Sequence, residues 1–467
     1  MMDTVKWIYI GISFFFVIYL IGYSTFLFIS VVVGSVKLYT QRRKEQMKNS
    51  LDRDYFIPVS IVIPAYNEEV TVAQTVRSLL ALDYPLYEII VVDDGSSDQT
   101  SEVLTKEFGL WDLNRPVRMQ LPCQPVEYIR KTISEKVPIT LVRKKNGGKA
   151  DALNMGINIS KYPYFICMDA DSALQSDSLR QIVHPILENS RVVAVGGAVC
   201  PSNGVAIKNG QVIKYSMPKN LLASMQVLEY DRSFLASRIF FDQFNGNIII
   251  SGAFGLFQKE MVIACGGYDT GTMGEDMELV VKLHVFCRNN MIPYRIGYVP
   301  DAVCWSQAPE NLRDLMKQRR RWHIGLLQSM WKYRKIFANI KYGVISFGSY
   351  LYFLFYELLS PLIEGLGVFS VIMAWYLELL NVPFMVLFFL IYAVFGAILS
   401  LTAFIAKNQT LNEEITFRDL IKAVLLCFVE VVFLRFVLVW VRLAAIFTYR
   451  KQKNSWGKIK REKMNVN

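Results

Sequence analysis

An uncharged apolar run from Trp7 to Val33 constrains this chain of 467 residues more than any other feature. A helix needs about 20 apolar residues to cross the hydrocarbon core of a bilayer, and this run is longer. A basic stretch, Lys37 to Arg53, follows it at once. Because positive charge collects on the cytoplasmic side of membrane helices, the run predicts a membrane helix that enters the cytoplasm, and it disfavours a purely soluble enzyme.

Three further apolar blocks lie in the C-terminal part of the chain, at Val344 to Leu377, Pro383 to Ala406 and Leu420 to Phe447. Three more crossings would leave the basic tail, residues 450–467, outside the cell, whereas two or four would return it to the cytoplasm. One block can be a hairpin or lie in the membrane interface. The number of crossings therefore stays open.

Ionisable residues interrupt these blocks, among them Glu364, Glu430 and Arg435. At membrane depth such residues face the interior of a helix bundle or a wet path rather than lipid. Two interpretations stay open. One is a buried Glu430–Arg435 pair that fixes helix packing, and the other is a polar lining for a translocating polymer.

Charge and cysteine content narrow the classes of partner. The chain has 51 Lys and Arg residues against 40 acidic residues, a formal net charge of +11, and the surplus lies beside the apolar segments. The basic stretches lack interleaved aromatic residues, so nucleic acid is not an expected partner. The 7 cysteines form no CxxC pair, which is typical of free thiols in a reducing compartment, and the 3 dispersed histidines indicate no metal motif.

Between the apolar ends, the chain has the pattern of a water-soluble α/β domain. Four short apolar runs predict strands, and helical patterns with polar starts alternate with them. These runs are Val59 to Ile63, Tyr87 to Val92, Ile139 to Val142 and Tyr164 to Met168. The alternation predicts a largely parallel sheet, in which ligands bind beyond the carboxyl ends of the strands.

Polar residues at these strand ends are the first candidates for a site. Asp169 and Asp171 flank one small residue, and their carboxylates can converge on Mg²⁺ or Mn²⁺, although a solvated turn has the same pattern. Asp93 and Asp94 can hold a base edge or a ribose hydroxyl, or can close an Asx turn. Lys149, in a Gly-Gly turn at a helix start, suits a phosphate outside any Walker loop.

Two helices further along carry the remaining candidates. Glu275 and Asp276 precede an apolar helical stretch, where acids favour a helix N-terminus and a carboxylate in a partly dry cleft can act as a general base. Gln318, Arg321 and Trp322 belong to a basic amphipathic helix that suits the membrane surface. In such a helix an arginine can also contact a pyrophosphate, and a tryptophan can stack on a sugar ring.

In this order, the motifs resemble those of the membrane-embedded, processive family 2 glycosyltransferases. That group includes the synthases of cellulose, mixed-linkage β-glucan, poly-N-acetylglucosamine and hyaluronan. The resemblance runs from about Val59 to Trp322 and ends in a Gln-x-x-Arg-Trp signature. It implies an α/β GT-A fold (a nucleotide-diphospho-sugar transferase) fused to a helical transmembrane bundle, a UDP-sugar donor, and inversion at the anomeric carbon.

The resemblance also implies a role for each candidate residue. Asp276, as the base, and Glu275 are the expected catalytic residues, and Asp171 and Asp169 are the expected ligands of a Mg²⁺ or Mn²⁺ cofactor. The expected donor-binding residues are Ala65, Tyr66, Glu68, Asp93, Asp94, Lys149, Asp169 and Arg321. The expected acceptor-binding residues are Gly252, Gln318 and Trp322.

The expected domain order follows from these assignments. It is a transmembrane helix, a cytoplasmic GT-A domain, amphipathic interfacial helices, a transmembrane bundle and a basic cytoplasmic tail, over residues 1–36, 37–310, 311–341, 342–449 and 450–467. The expected location is the plasma membrane. The expected partners are the donor, a growing polysaccharide and the lipid bilayer, with accessory export subunits left open.

Departures from the family pattern bear on the product. Gly274 stands where cellulose and poly-N-acetylglucosamine synthases usually have Thr, and no cellulose-type gating motif follows Trp322. Control by a cyclic dinucleotide is not expected either. The expected reaction is processive polymerisation of a UDP-sugar, with UDP-glucose preferred, and export of the β-linked polymer. The alternatives are poly-N-acetylglucosamine synthesis from UDP-N-acetylglucosamine, a non-processive transfer to a lipid carrier, and a transporter with a nucleotide-binding regulatory domain.

Overall fold

The structure is a computed structural model that describes residues 2–48, 55–132, 136–208, 210–410 and 416–449. The predicted basic tail, 450–467, lies outside these ranges, as do residues 49–54 of the basic stretch that follows the first apolar run.

A ten-stranded sheet lies at the centre of the α/β domain, in the spatial order β3-β4-β5-β2-β1-β6-β11-β8-β12-β7, and a separate hairpin joins β9 to β10. The strands are β1 (Val59–Ala65), β2 (Tyr87–Asp93), β3 (Trp111–Asp112), β4 (Val126–Lys131), β5 (Ile139–Lys144), β6 (Tyr164–Cys167), β7 (Ser172–Leu174), β8 (Val192–Pro201), β9 (Val205–Lys208), β10 (Gln211–Tyr215), β11 (Gly255–Gln258) and β12 (Arg295–Ser306).

The four strands predicted from apolar runs are β1, β2, β5 and β6. They are neighbours and pair in parallel, so their carboxyl ends meet at one edge of the sheet. The other half differs, because β11 runs antiparallel to both β6 and β8, and β7 runs antiparallel to β12. The sheet is therefore mixed rather than largely parallel, and the predicted ligand edge belongs to its parallel half.

Helices cover both faces of the sheet because successive side chains of a strand point to opposite faces. Ile61 and Ile63 of β1 join a buried cluster with residues of the second and fifth helices, whereas Val62 between them joins a cluster with the fourth helix. A Cβ added at Gly156 would lie 2.1 Å from Val62 Cγ1, so glycine lets the fourth helix approach this strand closely.

Fourteen α-helices are described. They are α1 (Met2–Lys48), α2 (Val72–Leu80), α3 (Thr100–Phe108), α4 (Lys149–Ile159), α5 (Ser178–Glu188), α6 (Leu221–Tyr230), α7 (Arg238–Asp242), α8 (Lys259–Ala264), α9 (Glu275–Asn289), α10 (Leu312–Lys332), α11 (Ser360–Tyr376), α12 (Val382–Thr410), α13 (Phe417–Val429) and α14 (Arg435–Thr448). The π-helical segments are Asp231–Ser237, Ile345–Tyr350, Phe353–Leu358 and Glu430–Leu434, and the 3₁₀ turns are Arg334–Ile336 and Ile340–Tyr342.

Two described helices are long and apolar enough to cross a membrane, over Lys6–Thr40 and Val382–Asn408. A third candidate is a bent pair, Ile345–Leu358 with Ser360–Tyr376, whose two parts meet at 47°. The predicted block Leu420 to Phe447 is helical in α13 and α14, but it carries four charged side chains and is not among these candidates. Those side chains are Lys422, Glu430, Arg435 and Arg442.

A Glu430–Arg435 pair is one of the two interpretations that the sequence leaves open, and the structure instead pairs each of these side chains with a residue more distant in the chain. Arg232 donates to both carboxylate oxygens of Glu430 at 2.9 and 3.0 Å. Arg435 instead contacts Glu364, with the closest atoms 2.8 Å apart. Glu430 begins a π-helical segment and Arg435 follows its end, and their side chains take partners on different elements. The first pair therefore fastens a C-terminal segment to the π-helical segment Asp231–Ser237, and the second joins α14 to α11.

Candidate active site

A cavity of about 1240 Å³ opens at the carboxyl ends of β1 and β6 and continues between the C-terminal helices. Every predicted site residue except Asp93 lines it. These residues are Ala65, Tyr66, Glu68, Asp94, Lys149, Asp169, Asp171, Gly252, Glu275, Asp276, Gln318, Arg321 and Trp322. Residues separated by more than 250 positions in sequence thus share one cleft.

Lys149 lies at the centre of an acidic cluster in this cleft. Its ammonium is 2.6 Å from Asp169 Oδ1 and 3.1 Å from Glu275 Oε1. Burial opposes the charge on Lys149, but the nearby carboxylates outweigh it and raise the pKa of the ammonium above its ordinary value. A Cβ added at Gly252 would lie 3.1 Å from Lys149 Nζ and 3.5 Å from Asp276 Cβ, so Gly252 leaves room for close packing here.

Asp276 stands in the first turn of α9 with its carboxylate held by two backbone groups. Met277 N–H donates to Oδ1 at 2.7 Å, and Gly252 N–H donates to Oδ2 at 3.2 Å. Burial and the Glu275 carboxylate raise the pKa of Asp276, whereas the Lys149 ammonium lowers it. An oriented carboxylate with a raised pKa is suited to accept a proton inside a partly dry cleft.

The acids after β2 are bound by the protein itself. Asp93 is fully buried, accepts from Ser96 N–H at 2.8 Å and pairs with Arg143 at 3.1 Å. Because it does not line the cavity, only Asp94 of this pair remains a candidate for donor contact. Asp94 is also engaged: it pairs with the buried Lys144 and accepts from the N–H groups of Gly147 and Gly148, the turn that precedes Lys149.

The turn after β1 presents Tyr66 to the cavity, with its side chain half exposed. Asn67 holds the turn in the left-handed region at φ 57°, and its side-chain oxygen accepts from Ser97 N–H at 2.8 Å. Glu68 is buried and accepts from Thr71 Oγ1 at 2.6 Å. The turn is therefore fixed from both sides, and the Tyr66 ring extends from a rigid base.

The three consecutive arginines of α10 point to three different places. Arg319 is buried, lies 2.7 Å from Glu229 and stacks over Trp322 at 4.5 Å from the ring centroid. Arg320 donates to Thr448 of α14, while Arg321 lines the cavity. Gln318 also lines the cavity, and its buried Oε1 has no hydrogen-bond partner among the described residues. Glu229 went unpredicted because no local pattern links it to α10.

A close contact between α9 and α10 joins the Asp276 region to the Gln-x-x-Arg-Trp signature. A Cβ added at Gly274 would lie 2.9 Å from Gly325 Cα, and Gln328 Oε1 accepts from Met273 N–H at 2.8 Å. The glycine that departs from the family pattern is thus explained here, since a threonine side chain at position 274 would collide with the α10 backbone.

Asp169 and Asp171 are the candidate metal ligands of the site. Both are carboxylates that follow a buried strand and line the cavity. In the described ranges, no group of three or more His, Cys, Asp and Glu side chains is placed so that it could hold a metal ion by itself. Two carboxylates suit Mg²⁺ or Mn²⁺, which keep further positions for waters and substrate phosphates. The residues present therefore fit a cation that is held jointly with a donor.

Comparison with known proteins decides the family. The family model described as "Glycosyl transferase family group 2" matches residues 164–408, and "Glycosyl transferase family 2" matches residues 60–119. The chain belongs to glycosyltransferase family 2. It is therefore a hexosyltransferase, and it resembles polysaccharide synthases of this family.

Two relatives carry the comparison further. The poly-beta-1,6-N-acetyl-D-glucosamine synthase of Staphylococcus epidermidis is 30% identical over 321 residues, which cover 67% of this chain and 67% of that protein. Its counterpart from Staphylococcus aureus strain COL is 30% identical over 66% of this chain and 64% of that protein. These relatives support an exopolysaccharide synthase and give no support to the expected preference for UDP-glucose.

A solved structure with the same fold is the mannosyltransferase PcManGT from Pyrobaculum calidifontis, in complex with GDP-Man and Mn²⁺. It is 19% identical, with a TM-score of 0.50, and the match covers 83% of this chain and 99% of that one. At this identity the likeness shows the fold alone, and it confirms the predicted GT-A architecture.

Proposed function

We propose that this glycosyltransferase polymerises UDP-N-acetylglucosamine into a β-linked exopolysaccharide. The observation that carries the proposal is the shared cavity, which gathers the donor-side carboxylates, Asp276 and the Gln-x-x-Arg-Trp signature and continues between the C-terminal helices. The choice of sugar rests on the relatives, which are named as poly-β-1,6-N-acetylglucosamine synthases.

In the proposed reaction, Asp276 takes the proton of the acceptor hydroxyl. The acceptor oxygen then bonds to the anomeric carbon from the face opposite UDP, while the bond from that carbon to the diphosphate oxygen breaks. Gly252 N–H and Met277 N–H hold the Asp276 carboxylate in place for this transfer. Because attack and departure occur on opposite faces, the product is inverted at the anomeric carbon, through a transition state of oxocarbenium character.

Donor binding is assigned to the strand-end residues. Tyr66 and Glu68 border the base, Asp94 approaches the uridine, and Lys149 and Arg321 neutralise the pyrophosphate. Asp169 and Asp171 would hold the Mg²⁺ or Mn²⁺ ion, which when bound offsets the negative charge on the departing diphosphate. On the acceptor side, Gln318 offers its unpaired oxygen to a sugar hydroxyl and Trp322 offers a ring face.

The proposed topology places the α/β domain in the cytoplasm and the product path through the bundle. The basic residues that follow the first apolar run support this orientation. Domain limits of 1–36, 37–310, 311–341, 342–449 and 450–467 remain part of the proposal. The cavity residues that continue among the C-terminal helices support a route by which a chain could leave the site.

Membranes that contain the protein, incubated with one radiolabelled UDP-sugar at a time, test this proposal. We expect incorporation from UDP-N-acetylglucosamine into a high polymer that a β-1,6-specific hexosaminidase degrades. A β-glucanase-sensitive polymer made from UDP-glucose would overturn the choice of sugar. A single labelled glycolipid would overturn the processive reaction in favour of transfer to a lipid carrier.

A further inference from the structure

One segment beside the cavity is tied to α9 at both of its ends. This segment, residues 247–252, is named here the acceptor loop. At its C-terminal end Gly252 N–H donates to Asp276 Oδ2 at 3.2 Å. At its N-terminal end the backbone oxygen of Asn247 lies 2.8 Å from Nε2 of His284. His284 stands on α9 two turns beyond Asp276, so one helix holds the loop at two points.

The partners of His284 define its protonation state. A backbone carbonyl only accepts, so His284 Nε2 carries the hydrogen that it donates to Asn247. Burial lowers the pKa of His284 to about 4, which keeps the ring neutral near pH 7. Nδ1 is then an acceptor, and the Tyr294 hydroxyl, 2.7 Å away, donates to it. The ring is thereby fixed in one tautomer and one orientation.

Other contacts hold the same loop against its surroundings. Arg238 donates to the Ile249 oxygen, and Ser349 Oγ donates at 2.6 Å to the oxygen of Gly246, which directly precedes the loop. Ile248 joins a buried cluster with Met277 and Val281 of α9. Together with the bond from Gly252 N–H to Asp276, the His284 bond is therefore a polar tie between the loop and the helix that carries Asp276.

We propose that His284 is a positioning residue for glycosyl transfer, which fixes the acceptor loop to α9 and so aligns the acceptor with Asp276. The role rests on the proposed function. It predicts a loss in transfer to the sugar acceptor with little change in donor binding, because the residues assigned to UDP lie on other elements. A loosened acceptor also lets water take the glycosyl group, which releases UDP without polymer growth.

The test compares full-length variants in membranes. His284→Leu removes both hydrogen bonds, whereas His284→Gln keeps an N–H group that can donate to the Asn247 oxygen. We expect His284→Leu to lower polymer formation about tenfold, the effect of about 1.4 kcal/mol of lost alignment. We also expect more UDP released per sugar incorporated, and UDP affinity within about twofold of wild type. His284→Gln should restore most of the polymer formation.

Two further variants keep the test decisive. His184→Leu is the matched control, because His184 is a half-exposed surface histidine that pairs only weakly with Glu188 at 3.7 Å, and it should change none of the readouts. Tyr294→Phe removes the hydroxyl that bonds to Nδ1 and to Arg288 while leaving the His284–Asn247 bond in place, and it should lower transfer about threefold. It decides the question if His284→Leu fails to fold.

The outcomes separate this role from the proposed function. A wild-type protein that forms no polymer from any UDP-sugar would overturn both. Active wild type with full transfer in His284→Leu, or in Tyr294→Phe should the leucine variant not fold, would overturn the positioning role alone. Parallel losses of UDP affinity and transfer in folded His284→Leu would also overturn it, since they mark a general structural effect.

Discussion

Two acidic clusters lie at the carboxyl ends of β2 and β6, the parallel strands on either side of β1, and they differ in their balance of charge. After β2, Asp93 pairs with Arg143, and Asp94 with Asp151 surrounds the buried Lys144. After β6, one ammonium, that of Lys149, is shared between Asp169 and Glu275 with Asp276 close by.

This difference in charge balance distinguishes carboxylates that stabilise the fold from carboxylates that can take part in the reaction. Asp93 is fully buried and paired with Arg143 and does not line the cavity, so it has no lone pair to offer a ligand, and its removal leaves Arg143 without its buried partner. Carboxylates that outnumber their cations retain capacity for a proton or a metal ion. We therefore expect substitution of Asp93 to affect stability and substitutions in the β6–α9 cluster to affect reaction.

The largest effect is expected from Asp276→Asn. The amide cannot accept the acceptor proton, so polymer formation should fall about a thousandfold, within the usual range for a lost general base. UDP affinity should stay within about threefold of wild type. Labelled-sugar incorporation and UDP calorimetry measure the two quantities, with Asp112→Asn as the control at a 78% exposed carboxylate. Full incorporation of sugar by Asp276→Asn would show that Asp276 is not the general base.

Asp93→Asn is expected to lower stability much more than turnover. The substitution leaves the Arg143 guanidinium without its buried anion and is expected to cost about 3 kcal/mol of folding free energy. Turnover per folded molecule should fall far less than in Asp276→Asn. Thermal unfolding in detergent, with activity normalised to folded protein, checks this expectation. Unchanged stability with lost turnover would place Asp93 with the reactive cluster.

Lys149→Gln is expected to change the pH dependence of polymer formation. Asp276 must be deprotonated to act as a base, so activity falls as the pH drops through its pKa. The Lys149 ammonium lowers that pKa. Its removal should therefore move the acid limb of the residual activity to higher pH, by about one pH unit. The exposed Lys145→Gln is the matched control, and an acid limb that stays in place or moves to lower pH would contradict the coupling.

The smallest effect is expected outside both clusters. Arg77 and Glu107 form an ion pair of 2.7 Å between α2 and α3, with side chains 56% and 37% exposed. Water and salt screen such a pair, so Glu107→Gln should change stability by less than about 0.5 kcal/mol and leave polymer formation unaltered. A larger loss of stability would show that an exposed ion pair stabilises this fold as the buried Asp93–Arg143 pair is expected to do.

Much of this organisation could be predicted from the sequence because it is local. Apolar runs predicted β1, β2, β5 and β6, and the motifs that end them pointed to residues that line one cavity. The antiparallel β11 was not predicted, because its four residues pair with strands far away in the sequence. The choice of sugar was also beyond the motifs, which concern the nucleotide and the proton transfer.

Charge matching depends on register, which the sequence does not reveal. Asp93 of β2 lies opposite Arg143 of β5 only because the two strands pair in that register. The same limit affected the C-terminal helices, where one of the two open interpretations paired Glu430 with the nearby Arg435, whereas they contact Arg232 and Glu364. Local spacing favoured that pair, whereas tertiary packing supplied the partners.

In the proposed reaction, Asp169 and Asp171, the two carboxylates that follow β6, bind a divalent ion together with the nucleotide. Calorimetric titration of UDP into purified protein, with Mn²⁺ or with a chelator, tests this joint binding. The proteins compared are wild type, Asp171→Asn and Asp93→Asn. We predict metal-dependent UDP binding in wild type and in folded Asp93→Asn, and loss of that dependence in Asp171→Asn. Joint binding of the ion and the nucleotide at Asp171 would be contradicted by a wild-type UDP affinity that the chelator does not change, or by metal dependence that survives in Asp171→Asn.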